Sequence, residues 1–296
     1  MTRTARLAIL CTSVLALGAL PGDAGPALPR QIPFTTGPRG HLIVEVALNG
    51  RGPFHFALDT GASHTVVNRA RLGALELVER PSGHTGQGAH ETIELGLADV
   101  SELELGGIEL RSLEVAVMDL SHVEVPGMPL FGVLGFDVFG RWDLELDLAS
   151  ERVVLHPRAE TESACAVCSG DLVVPFELVN GTHIRFEIVV SGQPMTALLD
   201  TGSGRSGMNR HAVRALGIDL PPAPEGAHGP ALKLGEVNLG DGVLARDLVV
   251  GVVDLPAFVQ LGVSEGPAVL LGTGAFAGKR IGIAYGLHRM SVSAAP

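Results

Sequence analysis

Apolar and polar positions alternate with a period of two along most of this chain, and turn residues break the alternation into short runs. "ETIELGLADVSELELGGIELRSLEVAVMDL" (Glu91 to Leu120) and "ALKLGEVNLGDGVLARDLVVGVVDL" (Ala231 to Leu255) are examples. Alternation of this kind puts one face of a strand on a core and the other in water. Long stretches with the 3.6-residue period of an amphipathic helix are scarce. The pattern predicts an all-β protein with one or two short helices in each half.

The pattern also repeats. "VEVALNGRGPFHFALDTGASHTVVNRARLGAL" (Val44 to Leu75) and "FEIVVSGQPMTALLDTGSGRSGMNRHAVRALGI" (Phe186 to Ile218) share one layout. In each, a strand turns at Asn49-Gly50 or Ser191-Gly192, and a second strand runs into Asp-Thr-Gly at Asp59 or Asp200. Both turn dipeptides suit hairpins. The offset, 200 − 59 = 141, also relates Asn68 to Asn209 and Arg69 to Arg210. Each Asn is a predicted N-cap of a short helix. The halves end alike as well. "GVLGFDVFGRWDLELDLASERVVLHP" and "AVLLGTGAFAGKRIGIAYGLHRMSVS" align Gly135 with Gly272 and Phe139 with Phe276, an offset of 272 − 135 = 137. A period this long indicates a duplicated domain, since solenoid repeats are much shorter. The expected layout is one lobe over 30–157, a polar linker over 158–170 and a second lobe over 171–296.

Composition narrows the class. At 296 residues, 46% hydrophobic and 18% charged, the chain has ample core for two domains. The net charge of −11 and the lack of a basic run disfavour nucleic acid and anionic membrane as partners. "MTRTAR", the short apolar run "LAILCTSVLALGAL" and the small residues of "PGDAGPALP" read as a secretory signal over 1–23, too short for a stable membrane span. The expectation is an exported, periplasmic or secreted protein. Bulky Leu10 before Cys11 argues against a lipoprotein. Cys165 and Cys168 form one C-x-x-C, without the second ligand pair of a structural zinc site or the βαβ setting of a thioredoxin-like motif. They read as a local staple or as idle thiols.

A single Asp-Thr-Gly is an ordinary turn. Two, each at the end of an apolar strand and in matched places of a duplicated fold, can meet at a pseudo-two-fold axis. Carboxylates brought together there cannot both ionise easily, so the pair shares a proton. The charged member can draw a proton from a water while the protonated one donates to a peptide carbonyl. The glycines permit close backbone approach.

On these residues the sequence resembles the pepsin and retropepsin superfamily of aspartic peptidases, over most of the chain from Phe34 to Val292. "ALDTGAS" and "LLDTGSG" resemble its paired active-site motifs, and "VLG" and "LLG" its later apolar-apolar-Gly element. The resemblance implies a two-lobed pepsin-like fold of duplicated retropepsin-like β-barrel lobes. It implies Asp59 and Asp200 as the catalytic dyad of an endopeptidase, and Thr60 and Thr201 as interlocking threonines. Gly61 and Gly202 complete the turns, and Ser203 stands where a hydroxyl often braces the aspartate. It implies a peptide or protein substrate, a monomer, and neither cofactor nor metal. Gly204 and Gly207 depart from the pattern, which keeps open a catalytically weak or inactive peptide-binding protein on the same fold. They also keep open first lobes that pair between chains. The flap tyrosine of pepsin-like enzymes has no counterpart, because the single tyrosine is Tyr285. The candidate flap is "SGHTGQGAHET", with Gly86, Gln87 and Gly88 at its centre, and "PEGAHGPAL" is a candidate second flap. His84, His90 and His228 in these loops lack the carboxylate frame of a metal site. "LLGTGAFAG" lacks the βαβ unit of a nucleotide loop. Asn180-Gly181-Thr182 fits a glycosylation acceptor and, more simply, a hairpin turn.

Overall fold

The computed structural model describes residues 29–87, 92–120, 127–220 and 229–294. The predicted hairpins form where the turn dipeptides stand. Leu42–Leu48 pairs antiparallel with Arg51–Leu58, and His183–Val190 with Gln193–Leu199. Asn49 and Gly50 have φ of 51° and 73°, and Ser191 and Gly192 have 48° and 83°. Two successive positive φ angles match the right-handed twist of the flanking strands. Asn180 and Gly181, at 52° and 76°, likewise turn Glu177–Val179 back onto His183–Val190.

Each lobe then builds the same crossing. In the first, Gly132–Leu134 inserts between Arg51–Leu58, to which it runs parallel, and Val66–Asn68, to which it runs antiparallel. In the second, Ala268–Leu271 inserts between Gln193–Leu199 and Ser206–Met208 in the same two senses. The inserted strands are buried throughout, which explains why "GVL" and "AVLL" read as unbroken apolar runs. Val66–Asn68 continues parallel to Ile108–Met118, and Ser206–Met208 parallel to Val249–Val252. In the first lobe two long strands, Thr92–Leu105 and Ile108–Met118, bend round the barrel, and the former also pairs with Leu42–Leu48. In the second lobe the counterpart is broken into Ala231–Lys233, Glu236–Leu239, Gly242–Arg246 and Val249–Val252.

The last two strands of each half leave their lobe. Asp143–Asp147 and Arg152–His156 join Lys279–Ala284 and Arg289–Ala294 in one six-stranded sheet, edged by Arg30–Pro33 and Leu172–Pro175. At its centre Glu145 faces Gly282, and Leu144 and Leu146 face Ile283 and Ile281. Glu145 and Gly282 are equivalent under the 137-residue offset (282 − 145), so the pseudo-two-fold axis passes between them. Leu144, Leu146, Ile281 and Ile283 are all fully buried in one core that spans both halves.

The segment expected to be a linker packs against this sheet. Cys165 and Cys168 are joined by a disulfide. Between them, the Val167 carbonyl accepts from the Ser291 hydroxyl at 2.6 Å, over the glycine face of the axis. Ala159 N–H donates to Asp143 at 2.8 Å.

Candidate active site

Both predicted N-caps form, and each ties a helix start to the neighbouring strand. Asn68 Oδ1 accepts from Ala70 N–H at 3.2 Å and from Leu120 N–H at 3.3 Å. Asn209 Oδ1 accepts from Ala212 N–H at 2.8 Å and from Ala268 N–H at 3.1 Å. The predicted apolar-apolar-Gly elements support the two turns from below. Leu134 and Leu271 carbonyls accept from Asp59 and Asp200 N–H at 3.1 and 3.0 Å. Gly135 and Gly272 N–H donate to the hydroxyls of Thr65 and Ser206, each at 3.2 Å. A side chain on either glycine would strike backbone, at 2.5 Å for His64 and 2.4 Å for Arg205. Thr65 and Ser206 were not singled out from the sequence, although they stand 141 residues apart (206 − 65) in the register of the duplicated turns.

The two Asp-Thr-Gly turns meet. Thr60 N–H donates to Thr201 Oγ1 at 3.0 Å, and Thr201 N–H to Thr60 Oγ1 at 3.1 Å. Each hydroxyl then donates across the axis, Thr60 to the Leu199 carbonyl at 3.2 Å and Thr201 to the Leu58 carbonyl at 2.9 Å. These four bonds are buried, so each is made where water offers no substitute.

Asp59 and Asp200 are each 1% exposed and lie against each other. A Cβ on Gly61 would sit 3.1 Å from Asp200 Cγ and from Asp59 Oδ1, and one on Gly202 would overlap Asp59 Cγ at 2.2 Å. Only glycine leaves room for the facing carboxyl. Asp59 accepts Gly61 N–H at 2.7 Å and is faced by the backbone N–H groups of Gly202 and Ala62. Burial nevertheless pushes its pKa up to about 7, against the downward pull of these donors. Asp200 is raised further, by burial and then by the Asp59 charge. Neither Asp200 oxygen completes a hydrogen bond of good geometry with a described group. Backbone donors thus favour the charged form of Asp59 more than that of Asp200.

Ser203 is correctly located beside Asp200, but its hydroxyl does not brace the carboxyl. It donates to the Arg205 carbonyl at 2.7 Å and accepts Arg205 N–H at 3.2 Å, leaving its backbone N–H to face Asp200. Gly204 has a packing reason that the sequence did not reveal. A Cβ there would lie 1.8 Å from the Arg39 carbonyl, because the first-lobe loop at Arg39-Gly40 crosses directly over it. The Gly40 carbonyl in turn accepts from Thr273 Oγ1 at 2.9 Å. Gly207 lies buried in its strand opposite Gly251.

Gly86 and Gln87 end the strand Arg80–Gln87, opposite Ile93 and Thr92, so the candidate flap is the end of a hairpin. Gly88 and His90 lie outside the described residues, as do His228 and 224–228 of the second candidate flap. His84 is described only as backbone of the same strand. Tyr285 is wholly buried and stacks edge-on against Phe136 and Phe176.

Paired lobes, a shared sheet and two interlocked Asp-Thr-Gly turns define the pepsin-like aspartic peptidase fold. Residues 44–138, which carry the first turn and its supporting glycine, match the aspartyl protease family. Among solved structures, basic 7S globulin from soybean superposes with a TM-score of 0.52 at 12% identity, over 90% of this chain and 95% of that one. Identity that low supports likeness of fold alone. No curated protein matches the chain.

Thr60→Val and Thr201→Val each remove a donor and an acceptor from one interlock. Each is expected to cost about 2 kcal/mol, roughly 4–8 °C in Tm. The double variant is expected to lose less than the sum, because both act on one network. Thermal denaturation of the three variants measures this, and additive losses would show that the bonds are independent.

Proposed function

We propose that the chain is an aspartic endopeptidase that hydrolyses peptide bonds with a water activated between Asp59 and Asp200. The observation that carries this reading is the meeting of two buried carboxyls with unlike surroundings. Ionised Asp59 takes a proton from the water as it attacks the scissile carbonyl. Protonated Asp200 donates to the carbonyl oxygen, so the charge developing there is neutralised. Asp59 then returns its proton to the leaving amine, and no covalent enzyme intermediate forms. The alternative, an inactive peptide-binding protein, drew its support from Gly204 and Gly207, and the packing of the Arg39 carbonyl on Gly204 gives a structural reason for the first.

Members of a catalytic unit are strongly non-additive. Asp59→Asn, Asp200→Asn and the double variant are expected to be similarly inactive, at least about a thousandfold below the parent, on a mixed peptide library. Near-normal turnover in Asp200→Asn would instead indicate first lobes pairing between chains, and turnover per chain would then fall on dilution. Stability moves the other way. Both carboxyls titrate above their unfolded value of 3.8. The folded state therefore binds more protons than the unfolded one between about pH 4 and 7, and stability falls as pH rises through that window. Removing either ionisable group relieves the penalty. Each Asn variant is expected to gain at least about 1.4 kcal/mol at neutral pH, or roughly 3–6 °C in Tm.

Activity requires one proton on the pair, so kcat/KM against pH should be bell-shaped. It rises as Asp59 ionises and falls as Asp200 does. Burial moves the rising limb from the ordinary carboxylate range toward Asp59's value of about 7. With the rising limb at about 7 and Asp200 also raised, the optimum is expected at neutral pH or above. A rising limb near about pH 4, the range of an exposed carboxylate, would contradict the desolvated pair.

Export is part of the proposal. It rests on the N-terminal pattern, and among the described residues no helix is long and apolar enough to cross a membrane. N-terminal sequencing of secreted or periplasmic material is expected to begin between Gly22 and Ala27. A soluble cytoplasmic pool that retains Met1 would overturn it.

A further inference from the structure

The two turns are not held alike, and the difference lies at one side chain. His183 opens the strand His183–Val190 of the second lobe, is 3% exposed, and reaches across to the first lobe. Its Nε2 lies 3.1 Å from the Gly61 carbonyl oxygen, and its Nδ1 lies 2.8 Å from Thr182 Oγ1. A carbonyl can only accept, so Nε2 carries the proton, and Nδ1 of the neutral ring accepts from the Thr182 hydroxyl. Ile43 stands opposite Ala57 as Arg185 stands opposite Leu198, so this strand is offset by 142 and the counterpart of His183 is His41 (183 − 142). Among the described residues, the bond from His183 to Gly61 has no counterpart from the His41 ring to the carbonyl of Gly202.

Gly61 donates its own N–H to the Asp59 carboxylate at 2.7 Å, and its carbonyl belongs to the same peptide unit as Ala62 N–H, which donates to the Asp59 main-chain carbonyl at 3.2 Å and also faces the carboxylate. A hydrogen bond to the oxygen of an amide polarises its N–H and makes it a stronger donor. We propose that His183 is a positioning residue for Asp59. By donating to the Gly61 carbonyl it fixes the peptide that faces Asp59 and favours the charged form there, so that the shared proton rests on Asp200. The proposal rests on the reading of Asp59 and Asp200 as the reacting pair.

The groups facing the ring are consistent with a neutral donor at neutral pH. They are Thr182 and the Val179 backbone beside it, and, from the first lobe, the Gly61 carbonyl and the imidazole of His64. Burial lowers the pKa of His183 against the upward pull of the Gly61 and Val179 backbone, and His64 lowers it further. His64 is itself held low by burial, against the upward pull of Asp137 and Glu114, and its Nδ1 bonds Ser63 Oγ at 2.9 Å.

The test begins with the unaltered protein. Nitrogen NMR at neutral pH is expected to find His183 uncharged with its proton on Nε2, and a proton on Nδ1 would overturn the proposal. In His183→Leu, which removes the donor, carboxyl-selective carbon NMR is expected to show the pair's lower apparent pKa raised by about half a unit to one unit. The rising limb of kcat/KM should move up by the same amount. At a pH on that limb kcat should fall about threefold to tenfold with KM little changed. His183→Gln keeps a donor nitrogen at similar reach and is expected to restore most of both. A folded His183→Leu with unchanged carboxyl titration would show that the ring only fills space. Should His183→Leu fail to fold, the tautomer and the titration of His183→Gln decide, the latter expected to stay within a few tenths of a unit of the parent. The carboxyl titrations need no turnover, so they report on His183 even if the Asp59→Asn and Asp200→Asn variants were to defeat the peptidase reading.

Discussion

Two carboxyl groups pressed together out of water form an arrangement that opposes folding, and the centre of this protein is organised to hold it. Each charge removed from solvent costs several kcal/mol unless paired or neutralised. Here the cost is reduced by sharing a proton and by backbone donors aimed at Asp59. The remainder is carried by the surrounding structure: the reciprocal threonine bonds, the supporting glycines at Gly135 and Gly272, and the buried strands that end at each aspartate. Their symmetry is physically apt, because each lobe supplies the bond that the other needs. Neither turn can shift without breaking contacts in both.

The pseudo-two-fold axis extends from the turns to the Glu145–Gly282 pair of the shared sheet. A sheet built from the terminal strands of both halves makes the lobes one cooperative core, and the pairing Leu144–Ile283 and Leu146–Ile281 fixes their relative register. Because a one-residue slip would turn these side chains to the wrong face, the register is strongly determined. The position of one aspartate relative to the other is thereby set by strands far from either in sequence.

Function on this scaffold depends as much on where the symmetry fails. Proton donation and proton acceptance are different tasks, and identical surroundings would not assign them. The Arg39-Gly40 loop crosses onto Gly204 and Thr273 from the first lobe, while His183 crosses onto Gly61 from the second. Asp59 has a backbone donor at 2.7 Å, whereas the Asp200 oxygens are left without a well-formed bond. The departures of the second lobe from the first thus accompany unlike surroundings of the two carboxyls, and Gly204 leaves room for one of these crossings.

Much of this was legible in the sequence because its cause is local or periodic. Alternation showed the strands, Asn-Gly and Ser-Gly showed the hairpins, and the 141-residue register brought Asp59 and Asp200, Asn68 and Asn209 into correspondence. Duplication then implied an axis at which the turns could meet. What stayed hidden depends on partners distant in the chain. Nothing near Ser203 indicates that its hydroxyl prefers the Arg205 backbone, and nothing near Gly204 reveals the Arg39 carbonyl that a side chain would strike. The terminal strands of each half read as ordinary lobe strands, since period-two alternation does not say which sheet a strand joins. His183 was not singled out although its register partner is also a histidine, His41, because its acceptor lies 122 residues away. The repeated pattern determined the fold and the identity of the paired aspartates. The tertiary structure decided how unlike their surroundings are, because burial, close approach and hydrogen-bond partners exist only once the two lobes have met.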